Sequence, residues 1–554
     1  MSVLEKKGKG KLDDTVVLKC NITGFVNIDG HTEFKLKVQR GSNPDNSWEV
    51  MHRYNDFAAL NTLLTANLVG IEVPFPPKKA FGNMDSAFLQ ERRFGLQTFM
   101  DLVLSNSLFS QNIAVKRFLD PGNYSDNIDQ MAQQQAAMFF RSEPNWELQE
   151  NMKEIGWRVR KHYFSIKSKD GAAKTKYLLS WVEHGPDLTL DHQTTLLGLL
   201  HQLVSLQHPF IYPVTYASCT EKGATIVRQF HNTGSLRDVI CKAKPHHPRL
   251  KKYGNLRIRI PLEFSNIKRI GRQVLEALKF LKDKNWPYGH LHAGNVVVDG
   301  NNCRLLDVEN GILGLPTLYR SFIMELKAVK DLEAVDVYCF GHFLYEITFG
   351  NPLNMAHVGN LPEDCPPMIQ PILHSILSTS AVKSGLPSIE DLLANPLFAD
   401  VPCILNEKPV FKVNKVKDAL RQSKEAIEGR LKEDQKRLRQ FNRLSKARSE
   451  LMSEEEKKKR KKTNKKKAST AKASTIPEAK PPVTKQASVS KAPKTPTESS
   501  APVAPLPPPA PTNNVPKSPP PPTQEGRGAL LSSISGFKGG LKKTQTNDRS
   551  GPKV

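Results

Sequence analysis

The sequence has few cysteines and no long apolar run. Its seven cysteines are scattered, and no two of them form a C-x-x-C pair. This argues against a zinc site or a disulfide framework and is typical of a reducing compartment. No segment approaches the ~20 consecutive apolar residues that a membrane-crossing helix requires. We therefore expect a protein that makes only peripheral contact with membranes.

The positive charge of the chain is large but concentrated in one region. The formal net charge is +25 over 554 residues, yet residues 430–467 alone carry 17 basic and 6 acidic side chains. The remainder is only moderately basic, so we predict no nucleic-acid partner. The lysine-rich run (residues 457–467) is compatible with a nuclear signal, a patch for anionic lipids or a solvated block of charge.

The composition changes along the chain and divides it into six parts. A compact α+β part is predicted over 14–121, in which a three-stranded meander precedes the helices, including helices over 86–105 and 110–119. A polar, glutamine-rich linker is predicted over 121–140. The remaining parts are a two-lobed α+β domain over 145–400, a charged helix with the lysine-rich run over 415–470, a disordered Pro-rich linker over 471–525, and a short apolar motif over 526–545. We expect the charged helix to be solvated or to bind a partner.

Three short motifs in the first part occur in a characteristic order. They are HRYNDF (52–57), PFPPKKAF (74–81) and ERRFGLQTF (91–99). Together they resemble the PX domain of the sorting nexins. In that family an Arg-Tyr pair binds the 3-phosphate and the inositol ring, a lysine follows a proline turn, and an arginine contacts the ring hydroxyls.

The resemblance assigns a phosphoinositide pocket to four residues. They are Arg53, Tyr54, Lys79 and Arg92. Arginine matches phosphate oxygens bidentately and lysine adds a point charge, so these side chains suit a phosphorylated headgroup. Phosphatidylinositol 3-phosphate is the family's usual ligand, and the alternative is a PX fold that binds only protein. Three apolar residues beside the pocket are candidates for membrane insertion: Phe81, Met84 and Phe88.

Residues 150–400 resemble the protein kinase fold, but several catalytic positions differ. YGHLHAGNVVV (288–298) is similar to the catalytic loop, with His290 in place of the base, and Asn295 is retained. Asp307 matches the metal-binding aspartate. The third strand carries Ser180 where a lysine binds the phosphates.

These differences predict a pseudokinase with no catalytic residue. Residues 192–220 contain no acidic residue that could pair with a phosphate-binding lysine, and residues 150–185 contain no glycine-rich loop. Loss of several coupled groups lowers activity by orders of magnitude. No cofactor and no metal site are predicted, although weak Mg-ATP binding stays open. The alternative is an atypical serine/threonine kinase that uses neutral His290 as its base.

The end of the chain resembles the actin-binding WASP-homology-2 motif. The family docks a short amphipathic helix on monomeric actin and continues with an extended L-K-K-T segment. The matching residues are Leu530, Leu531 and Ile534, followed by Leu541, Lys542 and Lys543. The proline runs between 502 and 522 suit polyproline-binding domains or a plain spacer.

The order of these parts is similar to that of a family of PX proteins with a kinase-like domain. The resemblance implies association with β subunits of the Na,K-ATPase and a role in the trafficking of membrane proteins. We therefore expect a cytoplasmic, non-catalytic adaptor that is peripheral on endosomal and plasma membranes.

Overall fold

The structure is a computed structural model. It describes residues 11–78, 85–124, 127–170, 175–190, 193–403, 408–413 and 416–470. No helix in these ranges is long and apolar enough to cross a bilayer. Lys79, Phe81, Met84, the Pro-rich linker and the six actin-motif residues named above lie outside the described residues.

The first part of the chain folds as the predicted meander followed by helices. The strands β1 (Leu18–Ile28), β2 (His31–Arg40) and β3 (Ser47–Arg53) pair antiparallel in chain order. Alternate residues Phe34, Leu36 and Val38 of β2 are almost fully buried, as the period of two predicts. The helices that cover this face are α1 (Tyr54–Thr65), α2 (Ser86–Ser105), α3 (Ser107–Ser110) and α4 (Ile113–Leu119).

Two expectations for this part of the chain need correction. The helix predicted over 110–119 is divided, because the Asn112 side chain accepts a hydrogen bond from the Ala114 amide and begins α4 anew. The predicted linker over 121–140 is largely helical, since α5 spans Asn127–Ser142. Ala132, Ala136 and Phe139 occupy one face of α5 and pack on the next sheet, which the many glutamines concealed.

The kinase-like part begins with a five-stranded antiparallel sheet. Its strands are β4 (Trp146–Asn151), β5 (Lys161–Ser168), β6 (Tyr177–Glu183), β7 (Tyr216–Cys219) and β8 (Gly223–Gln229). They lie in the order β4-β5-β6-β8-β7, and α6 (Gln193–Val204) connects β6 to β7. This is the small lobe that the sequence predicts.

The large lobe is helical and surrounds a short hairpin. The hairpin strands are β9 (Val296–Asp299) and β10 (Asn302–Leu305). The helices are α7 (Leu236–Ile240), α8 (Arg249–Tyr253), α9 (Phe264–Asp283), α10 (Arg320–Ile323), α11 (Leu332–Phe349), α12 (Gln370–Leu377), α13 (Ala381–Ser384), α14 (Ile389–Ala394) and α15 (Pro396–Ala399). Helix α11 is buried on nearly all sides, so it forms the centre of this lobe.

The first part of the chain packs directly against the kinase-like part. The Val69 amide donates to Gly254 O (3.0 Å), and the Leu256 amide donates back to Val69 O (3.0 Å). Arg249 donates to Leu108 O (3.2 Å), and Arg160 pairs with Asp14 (3.0 Å). Two of these contacts are backbone hydrogen bonds and two involve arginine side chains. Together they hold the first part of the chain against the kinase-like part.

The charged helix begins as a packed element of the kinase-like part. Helix α16 spans Lys417–Thr470. Its Leu420 is fully buried, and the Gln435 amide group donates to the carbonyl oxygens of Ile323, Leu326 and Val329 at 2.8–3.0 Å. The expectation of a helix that is only solvated or partner-bound is therefore wrong for its first five turns.

Candidate functional site

The candidate phosphoinositide pocket forms where β3 meets α1 and α2. Arg53 ends β3 and Tyr54 begins α1. The Tyr54 hydroxyl donates to Pro76 O (2.7 Å), which fixes its ring beside the proline turn. The Arg92 guanidinium lies 4.1 Å from the centre of the Tyr54 ring and donates to Pro77 O (3.4 Å). Tyr54 and Arg92 thus lie around the same turn, and Arg53 precedes Tyr54 in the chain.

The two arginines of this pocket have different environments. Arg92 is buried, its Nε atom has no partner among the described residues, and its guanidinium also lies 4.4 Å from the Phe88 ring. The Arg53 side chain is 54% exposed, and its Nε faces Glu33 Oε1 at 3.4 Å. Hydrogen bonds from His31 and then Arg53 lower the pKa of Glu33, so this carboxylate is ionised. A bound phosphate must therefore compete with Glu33 for Arg53.

A lysine that the sequence did not predict, Lys161, supplies a positive charge in the kinase-like cleft. Ser180 is buried in β6 and donates to Ile226 O (3.5 Å). Lys161 opens β5, and its Nζ lies 2.7 Å from Asp307 Oδ2. Because Tyr163 pairs with Ser180 in the sheet register, Lys161 lies on the same face as Ser180. The alternation of side chains in β5 puts Lys161 and Tyr163 on one face of the strand. Only the pairing register between β5 and β6 shows that this face points into the cleft.

A second ion pair completes a neutral cluster in the cleft. Arg228 of β8 donates to both carboxylate oxygens of Glu309, one of them at 3.2 Å. Arg228 also lies 3.8 Å from Asp307, and Lys161 lies 3.7 Å from Glu309. We call Lys161, Arg228, Asp307 and Glu309 the charge cluster. Its two positive and two negative side chains balance.

The charge cluster fixes the protonation state of Asp307. Burial alone would raise the pKa of Asp307, but the charges of Lys161 and Arg228 hold it well below its usual range. One carboxylate oxygen faces Lys161 and the other faces Arg228. A magnesium ion would have to displace these cations to bind Asp307.

The loop before β5 contacts the altered catalytic loop. Arg158 Nη2 donates to His290 Nδ1 (3.1 Å), and Trp157 Nε1 donates to His292 Nε2 (3.2 Å). Burial, and then the charge of Arg158, lowers the pKa of His290 well below its usual value, so the imidazole is neutral. Asn295 donates to His290 O (3.0 Å) and thereby stabilises the loop. Of the four predicted positions of the degenerate site, Ser180, Asn295 and Asp307 line the cleft, whereas His290 meets it through its contact with Arg158.

The space left in the cleft is small. A cavity of about 150 Å³ lies between the loop that carries Gly156, the sheet residue Leu178 and Asp307. Ligand pockets for drug-sized molecules usually measure about 300–1,000 Å³. Arg158 of the loop, together with Arg228 and Asp307 of the charge cluster, lines this space.

The catalytic loop is also held from the large lobe. Asp336 of α11 accepts a hydrogen bond from the Gly289 amide (2.8 Å), as expected for a structural aspartate. Burial raises the pKa of Asp336 to about 7. This side chain lies behind the loop and stabilises it.

Comparison with known proteins agrees with this arrangement. The PX domain model matches residues 41–122, and the WH2 motif model matches residues 524–551. A mouse PX domain-containing protein kinase-like protein is 47% identical over 452 residues, which cover 81% of this chain and 77% of the mouse protein. This chain belongs to the family of PX domain-containing protein kinase-like proteins.

Two further relatives match mainly part of the chain. The Slowpoke-binding protein of Drosophila melanogaster is 33% identical over 290 residues, 48% of this chain and 55% of that protein. The probable inactive serine/threonine-protein kinase slob2 of Dictyostelium discoideum is 32% identical over 251 residues, 44% of this chain and 42% of that protein. The Dictyostelium relative is named as a probable inactive kinase. The boundaries predicted for each domain stay predictions.

The charge cluster yields a stability prediction. Glu309→Gln removes one negative charge and leaves Arg228 incompletely paired in the protein interior. We expect the free energy of unfolding to fall by about 3–5 kcal/mol, measured by urea denaturation. Adding Arg228→Met to Glu309→Gln should recover much of the loss, since an apolar replacement of a buried pair is often neutral.

A matched control uses an exposed pair of the same chemistry. Lys279 and Asp283 pair on the surface of α9 at 2.7 Å. Asp283→Asn should change stability by less than about 1 kcal/mol. Equal stability of Glu309→Gln and the wild-type protein would contradict the structural role of the charge cluster.

Proposed function

We propose that this protein is a non-catalytic adaptor that connects phosphoinositide membranes to actin and uses its kinase-like domain to dock partners. The observation that carries the proposal is the charge cluster. Lys161 and Arg228 engage the carboxylate that a kinase reserves for magnesium. In such a domain, internal ion pairs take the place of the metal site. The outer surface of the domain then stays available to bind partner proteins.

The atypical kinase is the weaker alternative. Catalysis by His290 would need an imidazole that accepts the substrate proton, whereas Arg158 already donates to its Nδ1 atom. The predicted absence of the catalytic aspartate, the strand lysine and the helix glutamate adds to this argument.

The membrane function rests on the PX domain. The proposed headgroup site joins Arg53, Tyr54 and Arg92 with Lys79, which follows the proline turn. Arg92 has a buried Nε without a partner among the described residues, and Arg53 is exposed at the rim. These two arginines suit the hydroxyls and the 3-phosphate of phosphatidylinositol 3-phosphate. This ligand favours endosomal membranes, with the plasma membrane as a second location.

The actin function rests on the WH2 motif. Leu530, Leu531 and Ile534 supply the apolar face of the docking helix, and Leu541, Lys542 and Lys543 supply the extended part that follows. The lysines complement the acidic surface of actin. The Pro-rich linker gives this motif reach and offers ligands to polyproline-binding domains.

The client of the adaptor is proposed to be a membrane protein. The family resemblance implies the β subunits of the Na,K-ATPase. A relative that matches 48% of this chain is named for binding Slowpoke. We propose that the kinase-like domain, which this relative shares, is where the client binds.

The lipid assignment is tested with Arg53→Gln. Loss of a charge-assisted bond to the 3-phosphate should weaken binding to vesicles that contain phosphatidylinositol 3-phosphate by about 10- to 100-fold. Lys37→Gln makes the same charge change at an exposed position of β2 and should bind as the wild type does. Vesicle co-sedimentation measures both variants, and unchanged binding by Arg53→Gln would refute the pocket.

The actin assignment is tested with a double substitution. Replacing Leu530 and Leu531 by alanine removes the centre of the apolar face and should weaken binding to monomeric actin by about tenfold or more. Alanine at Ser532 and Ser533 preserves the length of the motif and serves as the control. Fluorescence titration of labelled actin monomers decides the question, and equal affinity of both variants would exclude the leucines as anchors.

A further inference from the structure

A surface segment of the kinase-like domain combines positive charge with exposed apolar side chains. We call residues 242–262, between α7 and α9, the basic segment. It contains seven lysine and arginine residues and no acidic residue. Four of its cations are exposed: Lys242, Lys244, Lys251 and Arg257. Among the described residues, no carboxylate lies within ion-pair distance of Lys251 or Arg257.

The apolar part of this surface lies at the end of the basic segment. Leu256 is 37% exposed, Ile258 40% and Ile260 46%. Val69 of the PX domain is 39% exposed and pairs with the same stretch through its backbone. Single exposed aliphatic residues are ordinary on protein surfaces, but four in one place mark an interaction surface.

The basic segment adjoins the part of the PX domain that leads to the lipid pocket. Val69 forms two backbone hydrogen bonds with Gly254 and Leu256. Gly70 lies against Arg257, since a Cβ atom at Gly70 would be 3.5 Å from the Arg257 Cγ. Eight residues connect Gly70 to Lys78, so the two positions lie within about 28 Å of each other. A membrane patch of that width is therefore wide enough to reach from one position to the other.

The geometry points to the basic segment as a second membrane-binding site, which recognises anionic phospholipids beside the PX pocket. Exposed cations attract an anionic bilayer surface, and the aliphatic side chains between them enter its interface. This inference rests on the proposed function, because the PX pocket supplies the first contact with the membrane. An acidic protein surface would require the cations but not the exposed aliphatic residues.

The test uses the full chain and three kinds of vesicle. They contain phosphatidylcholine alone, phosphatidylcholine with phosphatidylserine, or both lipids with phosphatidylinositol 3-phosphate. The nine cations of residues 457–467 are replaced by glutamine throughout, so that the lysine-rich run does not mask the basic segment. Lys251→Gln with Arg257→Gln should weaken binding to phosphatidylserine vesicles by about 25-fold, since each cation contributes about fivefold.

Matched controls distinguish binding through the basic segment from the general attraction between any positive charge and an anionic vesicle. Lys327→Gln with Lys383→Gln removes two exposed lysines elsewhere in the kinase-like domain. Ile258→Asn removes one exposed aliphatic side chain from the basic segment. Val204→Asn is its control, because it removes a similarly exposed aliphatic side chain from α6. We expect Ile258→Asn to weaken binding and both controls to leave it unchanged. Equal losses in the variants and their controls would overturn the inference.

The design keeps this inference distinct from the PX assignment. Arg53→Gln should abolish only the increase in binding that phosphatidylinositol 3-phosphate adds, whereas the basic-segment variants should lose binding without that lipid. Hydrogen exchange provides a second measurement, because phosphatidylserine vesicles should protect the amides of residues 254–262 in the wild type. Absence of protection would contradict membrane contact and would favour an acidic protein partner.

Discussion

The charge cluster is the interaction on which the arrangement of the kinase-like domain depends. Lys161 and Arg228 come from the small lobe, whereas Asp307 and Glu309 come from the large lobe. Removing charges from water is costly, and only close pairing offsets that cost. The cluster therefore couples the two lobes and at the same time uses the aspartate that would hold magnesium. Asp307 matches the aspartate that binds magnesium in kinases, and in this protein it contacts Lys161 and Arg228.

A second group of ion pairs, centred on Arg320, joins segments that are far apart in the sequence. Arg320 pairs with Asp13 near the start of the described chain (2.8 Å), with Asp187 of the small lobe, and with Asp434 of α16 (3.3 Å). One half-buried guanidinium thus joins three segments that are far apart in sequence. Because the hydrogen bonds of Gln435 hold α16 on the same region, the kinase-like domain serves as the frame for the PX domain and the charged helix.

Local sequence patterns predicted the helices and strands more accurately than the contacts between residues that are distant in the sequence. The period of two in β2 and the helix over 86–105 are as expected, and Tyr54 and Arg92, which the family motifs assign to one pocket, lie close together. Lys161 was missed because its partner Asp307 is 146 residues away and only the strand register brings the two together. Helix α5 was missed because glutamines surround its apolar face, and the docking of α16 depends on carbonyl groups that no sequence pattern reveals.

We expect the charge cluster to exclude Mg-ATP from the cleft of the kinase-like domain. Calorimetric titration of the full chain with ATP, with and without magnesium, tests this claim most directly when wild type and Asp307→Asn are compared. We expect no magnesium-dependent heat and no phosphate release in either protein. Magnesium-dependent binding that Asp307→Asn abolishes, together with ATP turnover, would contradict it and would identify an atypical kinase.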